Sequence, residues 1–128
     1  MSSPDDWLFL AETDFRAALG SLENDAPNMA CFHAHQVAEK CLKAILESAK
    51  ADVPRTHELP FLYEAVIKIN AGLKEFEQSL MFLNRFYIPT RYPEALPGSL
   101  AENLPTAEMA KQAVDYAEKI LNAVKEKL

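Results

Sequence analysis

The stretch that most constrains the fold is residues 32–46, where apolar side chains recur with the period of an α-helix. On a helical wheel the apolar positions fill one wide arc, and they are Phe32, Ala34, Val37, Ala38, Cys41, Leu42, Ile45 and Leu46. The other side of the wheel carries His33, Gln36, Lys40, Lys43 and Glu47. His35 and Glu39 break the pattern because they fall inside the apolar arc. An imidazole and a carboxylate placed there need polar partners.

Composition and periodicity favour an all-helical chain. The 128 residues include only 3 glycines, good helix formers are abundant, and runs of β-branched residues are few. Caps, breakers and apolar periodicity predict five helices, over 4–22, 28–50, 57–70, 73–87 and 107–128. We therefore expect an all-α, up-and-down helical bundle, with residues 1–128 forming a single domain. Thr56 is the expected N-cap of the third helix.

Net charge and the two cysteines indicate which partners and which cellular compartment to expect. The net charge of −6 argues against a surface built for non-specific binding of nucleic acid. Cys31 and Cys41 are too far apart on one helix to form a disulfide, which predicts free thiols in a reducing compartment. The sequence shows neither a secretory signal nor an apolar run long enough to cross a bilayer. We expect a cytoplasmic protein with no membrane partner.

Two apolar strips run along the predicted fourth helix. One contains Leu80 and Leu83, and the other contains Met81, Phe82 and Phe86. A helix that is apolar on two faces is either central in a bundle or covered by a second protein chain. The second strip motivates the prediction of a homodimer.

Neither a metal nor a cofactor is expected. The Glu-x-x-His pairs of a di-iron bundle are absent, and no further cluster completes a set of ligands around His35 and Glu39. Both cysteines lie toward the apolar side of their helix, where a thiol usually serves as a small hydrophobe. No glycine-rich phosphate loop occurs.

The remaining polar side chains allow two interpretations. In the structural one, Asp14, His35 and Glu39 pair with one another or with a nearby Lys or Arg inside the bundle. In the functional one, the first two helices and the segment around Arg91 form a recess for an anionic ligand. A guanidinium suits phosphate, and tyrosine rings suit stacking on a base. The candidate residues are Asp14, His35, Glu39, Lys40, Lys43, Arg55, His57, Arg85, Tyr87, Arg91 and Tyr92.

Several segments, taken in order, resemble the HEPN domain (higher eukaryotes and prokaryotes nucleotide-binding domain) over almost the whole chain. They are Trp7…Ala11-x-x-Asp14, then Phe32-His-Ala-His-Gln36-x-x-Glu39-Lys40-x-x-Lys43-Ala44, then Pro54-Arg-Thr-His57-x-Leu59, then Leu83-x-x-Phe86-Tyr87-Ile88-x-x-Arg91-Tyr92-Pro93, and a closing helix with Ala110, Ala117 and Ile120-Leu121. The resemblance implies a helical bundle that forms a homodimer and handles nucleotides or RNA. It also implies a minimal nucleotidyltransferase partner, as in toxin–antitoxin systems.

Many members of that family are ribonucleases whose signature is an arginine, four to six residues, and then a histidine. This sequence departs from the signature, since its arginines are residues 16, 55, 85 and 91 and its histidines are residues 33, 35 and 57. A non-catalytic, nucleotide-binding role is therefore the preferred interpretation. Two alternatives stay open. One is a metal-independent endoribonuclease with His57 or His35 as base and Arg91 stabilising the phosphorane; the other is a purely structural interaction module.

Overall fold

A computed structural model describes residues 2–87 and 104–128. The elements in order are α1 (Pro4–Glu23), α2 (Pro27–Ser48), α3 (Leu59–Ile67), a 3-10 helix (Ala71–Phe76), α4 (Glu77–Asn84) and α5 (Ala107–Lys127). No β-strand occurs in these two ranges. The predicted all-α bundle of about five helices is confirmed.

Two helices begin where the local sequence predicts. At α1 the Ser3 hydroxyl accepts a hydrogen bond from the backbone N–H of Asp6 at 3.2 Å, and the Asp6 carboxylate accepts one from the N–H of Ser3 at 2.9 Å. This reciprocal pair is a capping box, which satisfies N–H groups that have no partner within the helix. At α5 the Thr106 hydroxyl accepts from the N–H of Met109 at 3.1 Å.

The prediction that Thr56 caps the third helix is wrong. Its hydroxyl accepts from the N–H of Glu58 at 3.1 Å and so closes a short turn before the helix. Helix α3 begins at Leu59, whose N–H donates to the side-chain oxygen of Asn84 at 3.0 Å. The start of α3 is therefore satisfied by a side chain from α4, which no local pattern in the sequence reveals.

The predicted fourth helix is divided, and its second apolar strip is largely covered by the chain itself. Residues Ala71–Phe76 form the 3-10 helix, and α4 follows it. Phe86 is buried, and Phe82 packs on the core with its ring edge-to-face against Tyr116 of α5, at 5.5 Å between centroids. Met81 is 40% exposed. The strip is thus mainly an intramolecular contact, and the homodimer prediction loses the argument that motivated it.

Helix α2 is the centre of the bundle, since it packs on α1, α3, α4 and α5. The fully buried alanines Ala110, Ala113 and Ala117 line the inner face of α5, and such small side chains allow two helices to approach closely. The apolar periodicity of α1 predicts that Leu10, Ala11, Ala18 and Leu19 face the core. Ala11 and Ala18 are buried there, whereas Leu10 and Leu19 are 43% and 41% exposed.

Both cysteines are free and buried, as the sequence predicts. Burial in an apolar environment raises the pKa of the Cys31 thiol to about 12 and raises that of Cys41 further still. Among the described helices, none combines the length and the apolar character that crossing a bilayer requires.

Candidate functional site

The first polar cluster joins α1 to α2 around the carboxylate of Asp14. Its Oδ1 lies 2.9 Å from Nδ1 of His33, and its Oδ2 accepts a hydrogen bond from Nζ of Lys40. Burial alone would raise the pKa of the Asp14 carboxyl, but the hydrogen bonds from His33 and Lys40 outweigh it and the pKa is lowered. Asp14 is therefore held as a carboxylate between two basic side chains.

The second polar cluster joins α2 to the loop before α3 around the carboxylate of Glu39. Its Oε2 accepts a hydrogen bond from Nζ of Lys43 at 2.9 Å, and its Oε1 lies 3.0 Å from Nδ1 of His57. The Glu39 and Lys43 side chains are only 4% and 8% exposed, whereas that of His57 is 52% exposed. Nζ of Lys43 also lies 5.5 Å from the ring centroid of Trp7 on α1, where the cation and the ring attract each other.

The two clusters repeat one arrangement. In each, one carboxylate oxygen meets a lysine and the other meets Nδ1 of a histidine. Helix α2 supplies four of the six residues. Lys40 lies two turns after His33 and Lys43 one turn after Glu39, so each pair lies on one face of the helix. Both clusters are therefore neighbours along one side of α2.

His35 lies beside these clusters but is fully buried. Its Nε2 donates to the backbone carbonyl of His57 at 2.9 Å, and its Nδ1 lies 3.0 Å from the side-chain amide of Gln36. Burial lowers the pKa of His35, so the ring is neutral and its Nδ1 is an acceptor. The Gln36 amide then meets Nδ1 through its NH2 group. Both ring nitrogens are therefore engaged in hydrogen bonds inside the bundle.

Aromatic rings cover the side of the site where α4 ends. Tyr87 stacks on His57 with 4.4 Å between centroids and 21° between planes, and its ring also lies 5.3 Å from His35 and 6.0 Å from Phe32. Tyr87 is half-buried among these rings. The exposed aromatic surface at this point therefore belongs mainly to His57.

Several predicted site residues come together and others do not. Asp14, Glu39, Lys40, Lys43, His57 and Tyr87 all line the two clusters or the adjoining ring stack. Lys43, however, was placed on the outward side of the wheel and is in fact buried, because it pairs with Glu39 and lies over Trp7. His35 and Glu39 share no hydrogen bond.

Two of the remaining candidates, Arg55 and Arg85, belong to neither cluster. Arg91 and Tyr92 fall outside the described residues. Arg55 is exposed. The guanidinium of Arg85 lies over the rings of Phe82 and Phe86, at 5.1 and 5.3 Å, so it packs on aromatic rings at the end of α4.

His33 is the member of the site that the sequence did not reveal. It lies on the polar side of α2, in line with Lys40, and that position alone is typical of a solvated side chain. The sequence feature that could have indicated His33 is the carboxylate of Asp14, which needs a basic partner. Choosing His33 as that partner requires knowing that α1 packs beside the polar side of α2. Within 2–87 and 104–128, no group of three or more His, Cys, Asp or Glu residues could hold a metal ion.

Fold and site together define the chain as an all-helical bundle whose polar residues gather where α1, α2 and the loop before α3 meet. The family model of the HEPN domain matches residues 4–127, so the chain belongs to the HEPN family. The resemblance inferred from the motifs is confirmed.

Two solved structures are similar to the chain over nearly its full length. TT1696 from Thermus thermophilus has 37% sequence identity and a TM-score of 0.87, with 100% of each chain covered. ST0689, described as an archaeal HEPN homologue, has 29% identity and a TM-score of 0.79, with 99% of this chain and 98% of that chain covered. None of the curated proteins compared with the sequence is a match.

Proposed function

We propose that this chain is a nucleotide-binding HEPN protein without catalytic activity. In this proposal it acts as a homodimer together with a separate minimal nucleotidyltransferase, in a toxin–antitoxin-like or RNA-handling system. Support comes from membership of the family along residues 4–127 and from the polar site that α1, α2 and the loop before α3 build.

The observation that carries the proposal is the balance of charge in the two clusters. Two carboxylates, Asp14 and Glu39, stand against four basic side chains on a protein whose net charge is −6. The four are His33, Lys40, Lys43 and His57. Lys40 and Lys43 already neutralise the two carboxylates, so an anion that docks here meets no unpaired negative charge within the clusters.

A thermal-shift panel tests nucleotide binding. A ligand that binds only the folded protein stabilises it, by about 2.7 kcal/mol at a hundred times its Kd, so at least one of AMP, ADP, ATP and GTP should raise Tm. Lys40→Gln and Arg91→Ala should reduce that shift. Arg16→Ala is the matched control, because Arg16 is exposed on α1 and lies about 200° around the helix from Asp14. If no nucleotide changes Tm, the chain is a structural interaction module.

The assembly is tested separately. Light scattering at micromolar concentration should give twice the mass of one chain, and a monomeric mass contradicts the homodimer. Co-expression with a minimal nucleotidyltransferase from the same genome should give a complex that survives size exclusion. If no such protein co-elutes with the chain, that part of the proposal is wrong.

One observation favours a second candidate, a metal-independent endoribonuclease. Glu39 holds Nδ1 of His57, which leaves Nε2 on a half-exposed ring as the proton acceptor. A carboxylate orients a histidine base in this way in hydrolases. Incubating the protein with single-stranded and structured RNA in a chelator separates the candidates. RNA cleavage that His57→Ala abolishes establishes the endoribonuclease, and intact RNA supports the non-catalytic proposal.

A further inference from the structure

We infer that the outer face of the His57 ring is the docking surface for the base of the bound nucleotide. The base extends the Tyr87–His57 stack by one ring. This inference rests on the proposed nucleotide binding and adds to it a place and a mode of recognition.

The His57 ring is held from several sides yet stays half exposed. Its inner face stacks on Tyr87 at 4.4 Å, and its Nδ1 edge meets Oε1 of Glu39 at 3.0 Å. The backbone of the same residue is fixed too, because its carbonyl accepts from Nε2 of His35 at 2.9 Å. Despite these contacts 52% of the side chain remains exposed. These contacts leave open the face turned away from Tyr87 and the edge that carries Nε2.

A ring fixed in this way suits a planar ligand. Its orientation is set before binding, so docking a base does not require a mobile side chain to be ordered. Each nucleobase has a π-face, and stacking on an aromatic side chain strengthens the binding of a base regardless of its hydrogen-bonding edge. The surface is therefore expected to accept any base, with purines favoured by their larger ring area.

The charges around His57 suit the rest of a nucleotide. The Glu39 carboxylate holds Nδ1 of the ring and also accepts from Lys43, while the neutral His35 bonds the backbone carbonyl of His57. Tyr87 covers the inner face. Lys43 neutralises the Glu39 carboxylate beside the ring, so the phosphate of a stacked nucleotide meets no unpaired negative charge there. A nucleoside monophosphate is thus the ligand class that fits.

NMR of the unmodified protein tests the inference directly. On titration with AMP, the carbon-bound ring protons of His57 should shift upfield by the ring current of the stacked adenine, and the shift should saturate. Ribose 5-phosphate, which has the phosphate but no base, should leave these protons in place. Equal affinity for ribose 5-phosphate and AMP would overturn the inference.

AMP affinities of three variants provide a second test of the inference. His57→Ala should weaken AMP binding by about tenfold or more, while His57→Phe, which keeps an aromatic face, should stay within about threefold of the unmodified protein. Phe9→Ala is the matched control, because Phe9 is 66% exposed on α1, outside the ring stack, and its removal should leave the affinity unchanged. Circular dichroism checks that each variant is folded. The titration of the unmodified protein decides the matter if His57→Ala does not fold.

Different results would contradict the stacking on His57 and the proposed nucleotide binding itself. If AMP binds with unshifted His57 ring protons and with the same affinity in His57→Ala, stacking is wrong and nucleotide binding stands. If neither AMP nor any other nucleotide binds the unmodified protein, the proposed function fails and the stacking surface fails with it.

Discussion

Oε1 of Glu39 lies 3.0 Å from Nδ1 of His57, and this contact ties the buried middle of α2 to the half-exposed loop before α3. Glu39 also accepts from Lys43, so one carboxylate serves a buried lysine and a surface histidine at once. The carboxylate that breaks the apolar pattern of its helix therefore anchors the candidate site.

Loss of the Glu39 carboxylate is expected to be costly. Glu39→Ala leaves Lys43 without its anion while its side chain is only 8% exposed, and an unpaired buried charge destabilises strongly. We expect the free energy of unfolding, measured by urea denaturation, to fall by about 3 kcal/mol. Asp115→Ala is the matched control, because Asp115 pairs with Lys119 at the same spacing but both side chains are more than half exposed. That change should cost less than about 0.5 kcal/mol; equal losses in the two variants would contradict the prediction.

His35 should make stability depend on pH in the mildly acidic range. Burial lowers its pKa from the ordinary 6.5, so the unfolded chain takes up a proton more readily than the folded one. Its contribution to stability is fully present above pH 6.5 and is lost as the pH falls from there toward the folded pKa. His35→Gln, which keeps a donor for the His57 carbonyl, should be less stable at about pH 7.5 yet lose less stability between about pH 6.5 and 5. Parallel urea curves for both proteins across that range would disprove the assignment.

Asp14 should make the stability of the fold depend on pH in a more acidic range than His35 does. Burial opposes its ionisation, but the hydrogen bonds from His33 and Lys40 lower its pKa below the ordinary 3.8. Its stabilising contribution is therefore present above pH 3.8 and is lost as the pH falls through the folded value. In Asp14→Asn we expect a lower Tm at about pH 6 and a smaller further loss between about pH 4 and 2.5. The control is His35→Gln, which should leave this acid window unchanged.

The two thiols should be inert in the folded protein. Burial raises the pKa of Cys31 to about 12 and keeps both side chains from solvent, and the thiolate is the form that reacts. At about pH 8 an aromatic disulfide reagent should label neither thiol over an hour, and both should react at once in denaturant, which serves as the control. Rapid labelling of the native protein would show that α2 opens far more readily than its packing indicates.

Local chemistry predicted part of the fold well. The capping residues of α1 and α5 act on N–H groups within three residues of themselves, so the sequence reveals both starts. The start of α3 could not be found in this way because its cap comes from Asn84, 25 residues along the chain. The outward placement of Lys43 was wrong for a similar reason, since its anion and Trp7 compensate for its burial.

The sequence predicted which residues belong to the candidate site better than it predicted which of them bind each other. The apolar arc of α2 marks His35 and Glu39 as needing polar partners, and the sequence groups Asp14 with them as a third buried polar candidate. Which partners they have depends on how α1 and the loop before α3 lie against α2, and a helical wheel has no information about that. His33 was therefore missed, although it is the direct partner of Asp14.

The burial of α2 also limits how such a protein can acquire a new ligand. Thirteen of its 22 residues are buried, so most substitutions in it disturb the core before they alter recognition. Among the described residues, the exposed surroundings that can vary are the outer turns of α1 and the loop that carries His57. Relatives with different ligands are expected to differ there while keeping the same central helix, and exchanging the loop 51–58 between two such relatives would be the simplest way to exchange their preferences.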